Sequence, residues 1–143
     1  MKPIHILLVE DNEGDIMLTT EALEESNISH KISIAKDGKI AIDFLNKKEK
    51  YQSAESPDLI LLDINLPKKN GHEVLQYIKS SEQLKQIPVI MLTTSSSKTD
   101  IVECYKHHGN GYLTKPFHVS ELIEAVAKIE NFGPNIVNFN LPE

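Results

Sequence analysis

The sequence predicts an α/β domain whose core is a five-stranded parallel sheet, doubly wound so that helices cover both faces. Apolar runs alternate with segments of helical spacing five times along the chain, and this alternation favours parallel strands joined by right-handed crossovers. Three of the runs, IHILLV, LILL and VIML, are nearly continuous. Continuous apolar runs are typical of strands that are buried on both faces of a sheet.

These patterns place ten elements along the chain. The predicted strands cover residues 4–9, 32–35, 59–62, 89–92 and 111–113. The predicted helices cover residues 15–26, 38–47, 72–79, 100–108 and 120–130, and each carries an apolar stripe about as wide as one buried helix face. Ser97 stands three residues before Asp100, which predicts the N-cap of the fourth helix. Gly109 stands where a glycine commonly ends a helix.

Composition narrows the class of protein. The chain has 143 residues and a net charge of −6, which does not favour binding to nucleic acid or to an anionic membrane. No apolar run approaches the length of a transmembrane helix, and the short N-terminal run ends in acids, unlike a signal peptide. The single cysteine, Cys104, can form no internal disulfide. We therefore expect a cytoplasmic protein.

Two segments lie outside the repeating pattern. Residues 47–57 are polar and are predicted to form a surface loop. We expect the domain itself to span residues 1–131. The tail over residues 132–143 contains two prolines and does not continue the last helix. Its apolar side chains predict that it packs on the domain or on a second copy of the chain: Ile136, Val137, Phe139 and Leu141.

Chemically useful side chains follow four of the predicted strands. The first strand leads into Glu10 and Asp11, the third into Asp63, the fourth into Thr93 and the fifth into Lys115. Because the carboxyl ends of parallel strands meet at one edge of a sheet, we expect these groups to converge there. Clustered carboxylates repel one another unless a positive charge lies among them. The pattern therefore predicts a divalent cation site.

Magnesium suits this set of hard oxygen ligands, because it binds one or two carboxylates together with waters and phosphate oxygens. Asp63 could then act both as a ligand and as the nucleophile that accepts a phosphoryl group. Lys115 and Thr93 could contact the phosphoryl oxygens. Taken singly, each residue has a simpler explanation, such as a helix cap or a solvated charge. The prediction depends on all of them falling at strand ends.

The same residues carry a family resemblance. Segments 6–12, 59–71, 88–95 and 111–117 match in sequence and in spacing, and the chain resembles the receiver domain of two-component response regulators. That resemblance covers about residues 4–130 and implies a flavodoxin-like strand order of 2-1-3-4-5. It also implies the roles of single positions: an acid pair at Glu10 and Asp11, a phosphoacceptor at Asp63, a metal-binding backbone carbonyl at Asn65, a switch hydroxyl at Thr93, a phosphate-pairing lysine at Lys115 and a switch aromatic at Tyr112.

The resemblance further implies a regulatory phosphoacceptor rather than an enzyme with a substrate of its own. Its phosphoryl donor would be a sensor histidine kinase, and Mg²⁺ would be required. A downstream protein would bind the face formed by the fourth helix, the fifth strand and the fifth helix. Within the family, the motif LLDINLPKKNGHEVL is most similar to small regulators that partner phytochromes, which would imply a light-sensing kinase and a homodimer.

Three other functions remain open at this point. A phosphatase of the haloacid dehalogenase type uses Asp-x-Asp, but the second position here is Asn65, which cannot serve as a general acid. An interaction module that has lost phosphorylation would not need the acids or Lys115. A nucleotide-binding domain would need a phosphate-gripping glycine loop, whereas this chain has the acidic segment VEDNEG. The six histidines show no metal-binding spacing and are expected to be structural or solvated.

Overall fold

The computed structural model describes residues 3–26, 28–94 and 97–129. Strands and helices alternate throughout, as the sequence predicts. In chain order they are β1 (Ile4–Val9), α1 (Glu13–Glu25), β2 (His30–Ala35), α2 (Gly38–Leu45), β3 (Leu59–Asp63), α3 (Gly71–Ser80), β4 (Val89–Thr93), α4 (Lys98–Lys106), β5 (Gly111–Thr114) and α5 (Val119–Ala127). The predicted surface loop contains one short 3₁₀ turn, Glu49–Tyr51. The tail over residues 132–143 lies outside the described residues.

The five strands form one parallel sheet in the order β2-β1-β3-β4-β5. The predicted fold and strand order are therefore confirmed. Every residue of β1, β3 and β4 is buried, because these strands lie inside the sheet with helices on both sides. This explains why their sequences are continuous apolar runs. The edge strand β2 is only partly buried, and its sequence is correspondingly mixed.

Two apolar cores lie on opposite faces of the sheet. Successive side chains of a strand point to opposite faces, so the neighbours Leu7 and Leu8 in β1 belong to different cores. One core packs against α1 and α5, which contribute Leu23 and Leu122. The other packs against α2, α3 and α4, with Leu75 of α3 fully buried. The sheet is thus held rigidly from both sides.

The caps explain where two helices begin and end. Helix α1 starts two residues before its predicted position because the Asn12 side chain accepts a hydrogen bond from the Asp15 amide at 2.9 Å. The predicted N-cap of α4 is confirmed, since Ser97 accepts from the Asp100 amide. Gly109 follows α4 and donates its amide to the carbonyl oxygen of Cys104 at 2.8 Å. These caps fix where the loops at the strand ends begin.

A half-buried lysine, Lys79, lies at the amino end of the sheet, near the start of β4. The Lys79 ammonium at the end of α3 donates to the carbonyl oxygens of Lys85 and Ile87 at 3.0 and 2.9 Å, and to the Asn110 side-chain oxygen at 3.0 Å. The same Asn110 oxygen accepts the Val89 amide, which ties the start of β4 to this cluster. Burial lowers the pKa of Lys79 from its ordinary value of 10.5 to about 8.

This pKa predicts a measurable pH dependence of stability. Between pH 8 and 10.5 the unfolded chain keeps the Lys79 proton whereas the folded protein releases it, so the free energy of unfolding rises with pH. We expect wild type to gain stability relative to Lys79→Met as pH increases through this interval, measured by urea unfolding. The control is Lys106→Met, which changes an exposed lysine in the last turn of α4. A wild-type–Lys79→Met difference that stays constant from pH 8 to 10.5 would contradict the prediction.

Candidate functional site

Four strands deliver polar side chains to the carboxyl edge of the sheet. Asp63 is the last residue of β3 and Thr93 is the last residue of β4. Glu10 directly follows β1, and Lys115 directly follows β5. The parallel register places these strand ends side by side. The structure therefore brings the site residues together, as the sequence predicts. Their chemical roles remain predictions.

Three carboxylates form the centre of this edge. Oxygen atoms of Glu10, Asp11 and Asp63 lie within 4.8 Å of one another. Glu10 and Asp63 are only 1% and 3% exposed, whereas Asp11 faces solvent. Three hard oxygen donors in this small space fit a divalent cation such as magnesium or manganese, with the exposed side left for water or a phosphate oxygen.

The ammonium group of Lys115 lies among these acids. Its Nζ atom is 2.8 Å from Glu10 Oε1 and 3.2 Å from Asp63 Oδ2, and its side chain is 8% exposed. Strand β5 lies three strand spacings from β1, or about 14 Å. The long side chains of Lys115 and Glu10 bridge that distance together, since they meet through the 2.8 Å contact between Nζ and Oε1. The peptide bond from Lys115 to Pro116 is cis.

Electrostatic coupling shifts the pKa values of these groups. Burial, the largest cause, and the neighbouring Asp63 together raise the pKa of Glu10 to about 7, although the hydrogen bond from Lys115 acts in the opposite direction. Burial alone would lower the pKa of Lys115. Hydrogen bonds to Asp15 and Glu10 outweigh that effect and hold the pKa above its ordinary value. Lys115 therefore stays charged, and it offsets part of the carboxylate charge.

The loop after β3 holds Asp63 in place. The Asn65 amide donates to Asp63 Oδ1 at 3.1 Å, and the Gly71 amide donates to the carbonyl oxygen of Ile64 at 2.8 Å. Gly71, the first residue of α3, packs directly on this backbone. A Cβ atom at Gly71 would collide with the carbonyl oxygen of Asp63 and lie 2.6 Å from the Ile64 Cα atom. Glycine is therefore the residue that allows α3 to begin so close to the candidate acceptor.

Sequence reasoning missed one member of the site. Asp15 Oδ2 lies 2.8 Å from Lys115 Nζ, as close as Glu10. In the sequence, Asp15 stands only at the start of the first predicted helix, where an acid is common and needs no role in the site. The available signal was its place in the first turn of α1, which starts at the carboxyl edge of the sheet.

The two predicted switch residues lie on β4 and β5. Thr93 is 2% exposed, and its carbonyl oxygen accepts the Lys115 amide at 2.7 Å. Tyr112 is half-buried and contacts the edge of the Tyr105 ring, with a centroid separation of 6.2 Å. Tyr105 is 52% exposed, and Val102 on the same helix is 61% exposed. Tyr112 thus borders an exposed, partly apolar surface of α4.

Comparison with known proteins identifies the family. A family model described as the response regulator receiver domain matches residues 6–127. The chain belongs to this family. The resemblance predicted from the strand-end motifs is confirmed, and the five-stranded parallel fold of this receiver domain agrees with it.

Relatives of this receiver domain include phytochrome regulators. Response regulator Rcp1 of Synechocystis sp. is 46% identical over 130 residues, which cover 91% of this chain and 88% of the relative. The solved Mn(2+)-bound form of Rcp1 has a TM-score of 0.76 over 91% of this chain and 94% of the other, at 46% identity. The phosphorylated cyanobacterial phytochrome response regulator RcpA has a TM-score of 0.77 at 46% identity, over 92% and 94%. The predicted likeness to phytochrome-associated regulators is confirmed.

One of these relatives has been solved with a divalent metal ion bound. The Mn(2+)-bound form of Rcp1 is a divalent-metal complex of a receiver domain, and the three-carboxylate cluster of this receiver domain has the donor set for such an ion.

Within the parts of the chain that the structure describes, no helix is both long enough and apolar enough to cross a membrane.

Proposed function

We propose that this receiver domain accepts a phosphoryl group on Asp63 from the phosphohistidine of a sensor histidine kinase, in a reaction that requires Mg²⁺. One observation carries the proposal: Lys115 and the Glu10–Asp11 pair converge on the Asp63 carboxylate at the carboxyl edge of the sheet. A carboxylate with a purely structural role would be expected to have a cationic partner but no further acids beside it. Here one buried acid faces two further acids and an ammonium group, which suits transfer of an anionic group.

The transfer replaces one bond to phosphorus with another. An oxygen of Asp63 forms a bond to phosphorus, the bond from phosphorus to the imidazole nitrogen breaks, and the electron pair stays on that nitrogen. Lys115 pairs with a phosphoryl oxygen, and the Thr93 hydroxyl donates a hydrogen bond to another. Glu10, Asp11, Asp63 and the backbone carbonyl of Asn65 would hold the ion. Bound magnesium supplies positive charge that offsets the charge of the transferring group.

Phosphorylation would then change the surface around Tyr112. A phosphoryl group adds about −1.5 to −2 charges and strong acceptor oxygens, which would draw the buried Thr93 hydroxyl towards Asp63. Thr93 and Tyr112 lie on the paired strands β4 and β5. Movement of Thr93 therefore frees space that the half-buried Tyr112 ring can enter. The face of α4, β5 and α5 is the surface that a downstream protein would read.

The phytochrome relatives favour a light-sensing kinase as the phosphoryl donor. They do so because the cyanobacterial phytochrome response regulator RcpA aligns with this chain over 94% of its own length. The proposal also includes a cytoplasmic location, a homodimer, a receiver domain over residues 1–131 and a tail over residues 132–143 that packs on the domain or on the dimer partner.

Incubation with acetyl phosphate and Mg²⁺ tests this function directly. We expect the intact mass of the protein to increase by one phosphoryl group, and we expect the increase to disappear in EDTA. Sodium borohydride reduces an aspartyl phosphate to homoserine, so tandem mass spectrometry of the treated protein should place homoserine at position 63. No mass gain, or homoserine at another aspartate, would refute the proposal.

A further inference from the structure

The Lys115 ammonium has a carboxylate partner that the proposed chemistry does not use. Asp15 Oδ2 lies 2.8 Å from Lys115 Nζ, whereas Asp63 Oδ2 lies 3.2 Å away. Asp15 is not part of the cluster of three acids whose oxygens lie within 4.8 Å of one another. It approaches the site through Lys115, so its effect on the reaction must be sought there.

Asp15 and Glu10 hold Lys115 from different environments. The Asp15 side chain is 31% exposed, whereas Glu10 is almost fully buried at 1%. The backbone of Asp15 is fixed by the cap at the start of α1, where its amide donates to Asn12 Oδ1 at 2.9 Å. An exposed carboxylate that loses its cation is rehydrated, but a buried one is not. Of the two short contacts, the one with Asp15 is therefore the easier to open.

An ammonium group has three N–H donors, and in this structure Lys115 directs them at Glu10, Asp15 and Asp63. A phosphoryl group on Asp63 places its oxygens beyond the carboxylate, and Lys115 must shift to follow them. Building on the function proposed above, we infer that Asp15 is a positioning residue that holds Lys115 in its resting place and competes with the phosphoryl oxygens for it. Asp15 thereby weakens the binding of a phosphoryl group at Asp63.

The variant Asp15→Asn tests this competition. Asparagine keeps the shape of the side chain and one oxygen acceptor, but it removes the charge that retains Lys115. Beryllofluoride mimics an aspartyl phosphoryl group, and its affinity can be measured by calorimetry at saturating Mg²⁺. We expect Asp15→Asn to bind beryllofluoride about threefold to fivefold more tightly than wild type, as expected for release of a partly exposed ion pair. Asp15→Ser should behave in the same way, because it also removes the charge.

Glu13→Gln is the matched control. Glu13 lies in the same first turn of α1, but it is exposed and paired with Lys36 rather than Lys115. The substitution removes the same charge from the same helix end, so we expect wild-type affinity for beryllofluoride. Urea unfolding of each variant separates a change in binding from a change in stability, since a purely structural role of Asp15 would lower stability without tightening anion binding.

The possible results separate this inference from the function on which it depends. If wild type binds beryllofluoride and Asp15→Asn binds it with equal or weaker affinity, the positioning role is overturned. The phosphoacceptor proposal then stays intact. Equal tightening by Glu13→Gln would also overturn it, because the effect would then be a general one of charge. If wild type itself binds no beryllofluoride and takes up no phosphoryl group, both proposals are wrong.

Discussion

Replacing Asp63 by asparagine is expected to abolish phosphoryl uptake while leaving the fold nearly as stable as in wild type. The amide is not a nucleophile towards phosphorus under these conditions, so the mass gain from acetyl phosphate and Mg²⁺ should be absent. Stability should change by less than about 1 kcal/mol, because two effects oppose each other. Relief of repulsion among Glu10, Asp11 and Asp63 stabilises the variant. Asparagine, however, has a single side-chain oxygen, so it loses one of the two hydrogen bonds that Asn65 and Lys115 donate to different oxygens of Asp63.

Intact mass and urea unfolding, measured on the same preparation, check both parts of this prediction. The control is Asp43→Asn, which removes a carboxylate that pairs with Lys39 on the surface of α2. It should take up one phosphoryl group as wild type does. Uptake that persists in Asp63→Asn would mean that another residue is the acceptor. Loss of more than about 3 kcal/mol of stability would instead point to a mainly structural role for this carboxylate.

Gly71→Ala is expected to cause the largest loss of stability among the substitutions considered. The added Cβ atom would collide with the Asp63 carbonyl oxygen and lie 2.6 Å from the Ile64 Cα atom. Both are backbone atoms at the end of a fully buried strand, so neither can move aside as a flexible side chain could. We expect a loss of about 3 kcal/mol, at the upper end of the usual range for overpacking. We also expect a large loss of phosphoryl uptake, because the strain displaces the loop that carries Asp63.

Gly111→Ala provides the comparison, since a Cβ atom there would meet Ile90 Cγ1 at an ordinary 3.7 Å. That variant should stay within about 1 kcal/mol of wild type and keep full phosphoryl uptake. Chemical denaturation and the acetyl phosphate assay measure both effects. If Gly71→Ala retains wild-type stability and uptake, the close approach of α3 to Asp63 is not a constraint on the site.

The sequence predicted the parts of this molecule that depend on local pattern. Continuous apolar runs identified β1, β3 and β4 because these strands are buried on both faces. The strand-end rule then located Glu10, Asp63, Thr93 and Lys115. Strand β2 was placed two residues late, because at a sheet edge His30 and Lys31 pair through their backbones and need no apolar side chains.

Contacts between distant polar residues could not be predicted in this way. Asp15 and Lys115 lie 100 residues apart, and their ion pair depends on how the first turn of α1 sits over the end of β5. Lys79 resembles an ordinary solvated lysine at a helix end. Its three neutral acceptors come from a loop and from Asn110, and only the folded chain brings them together. Such contacts have no periodicity in the sequence.

The path from α2 to β3 has a practical consequence for building sensors from this domain. Residues 46–58 enter the sheet at the start of β3, about 13 Å of strand away from Asp63 at its other end. The end of this segment is anchored to the sheet, since the Asp58 amide donates to the carbonyl oxygen of His5 at 2.7 Å. Lengthening a flexible connection costs only about 0.6 kcal/mol for each doubling of its length. A fluorescent reporter or an affinity tag inserted beside the Glu49–Tyr51 turn would therefore leave Asp63, at the carboxyl edge of the sheet, free to react.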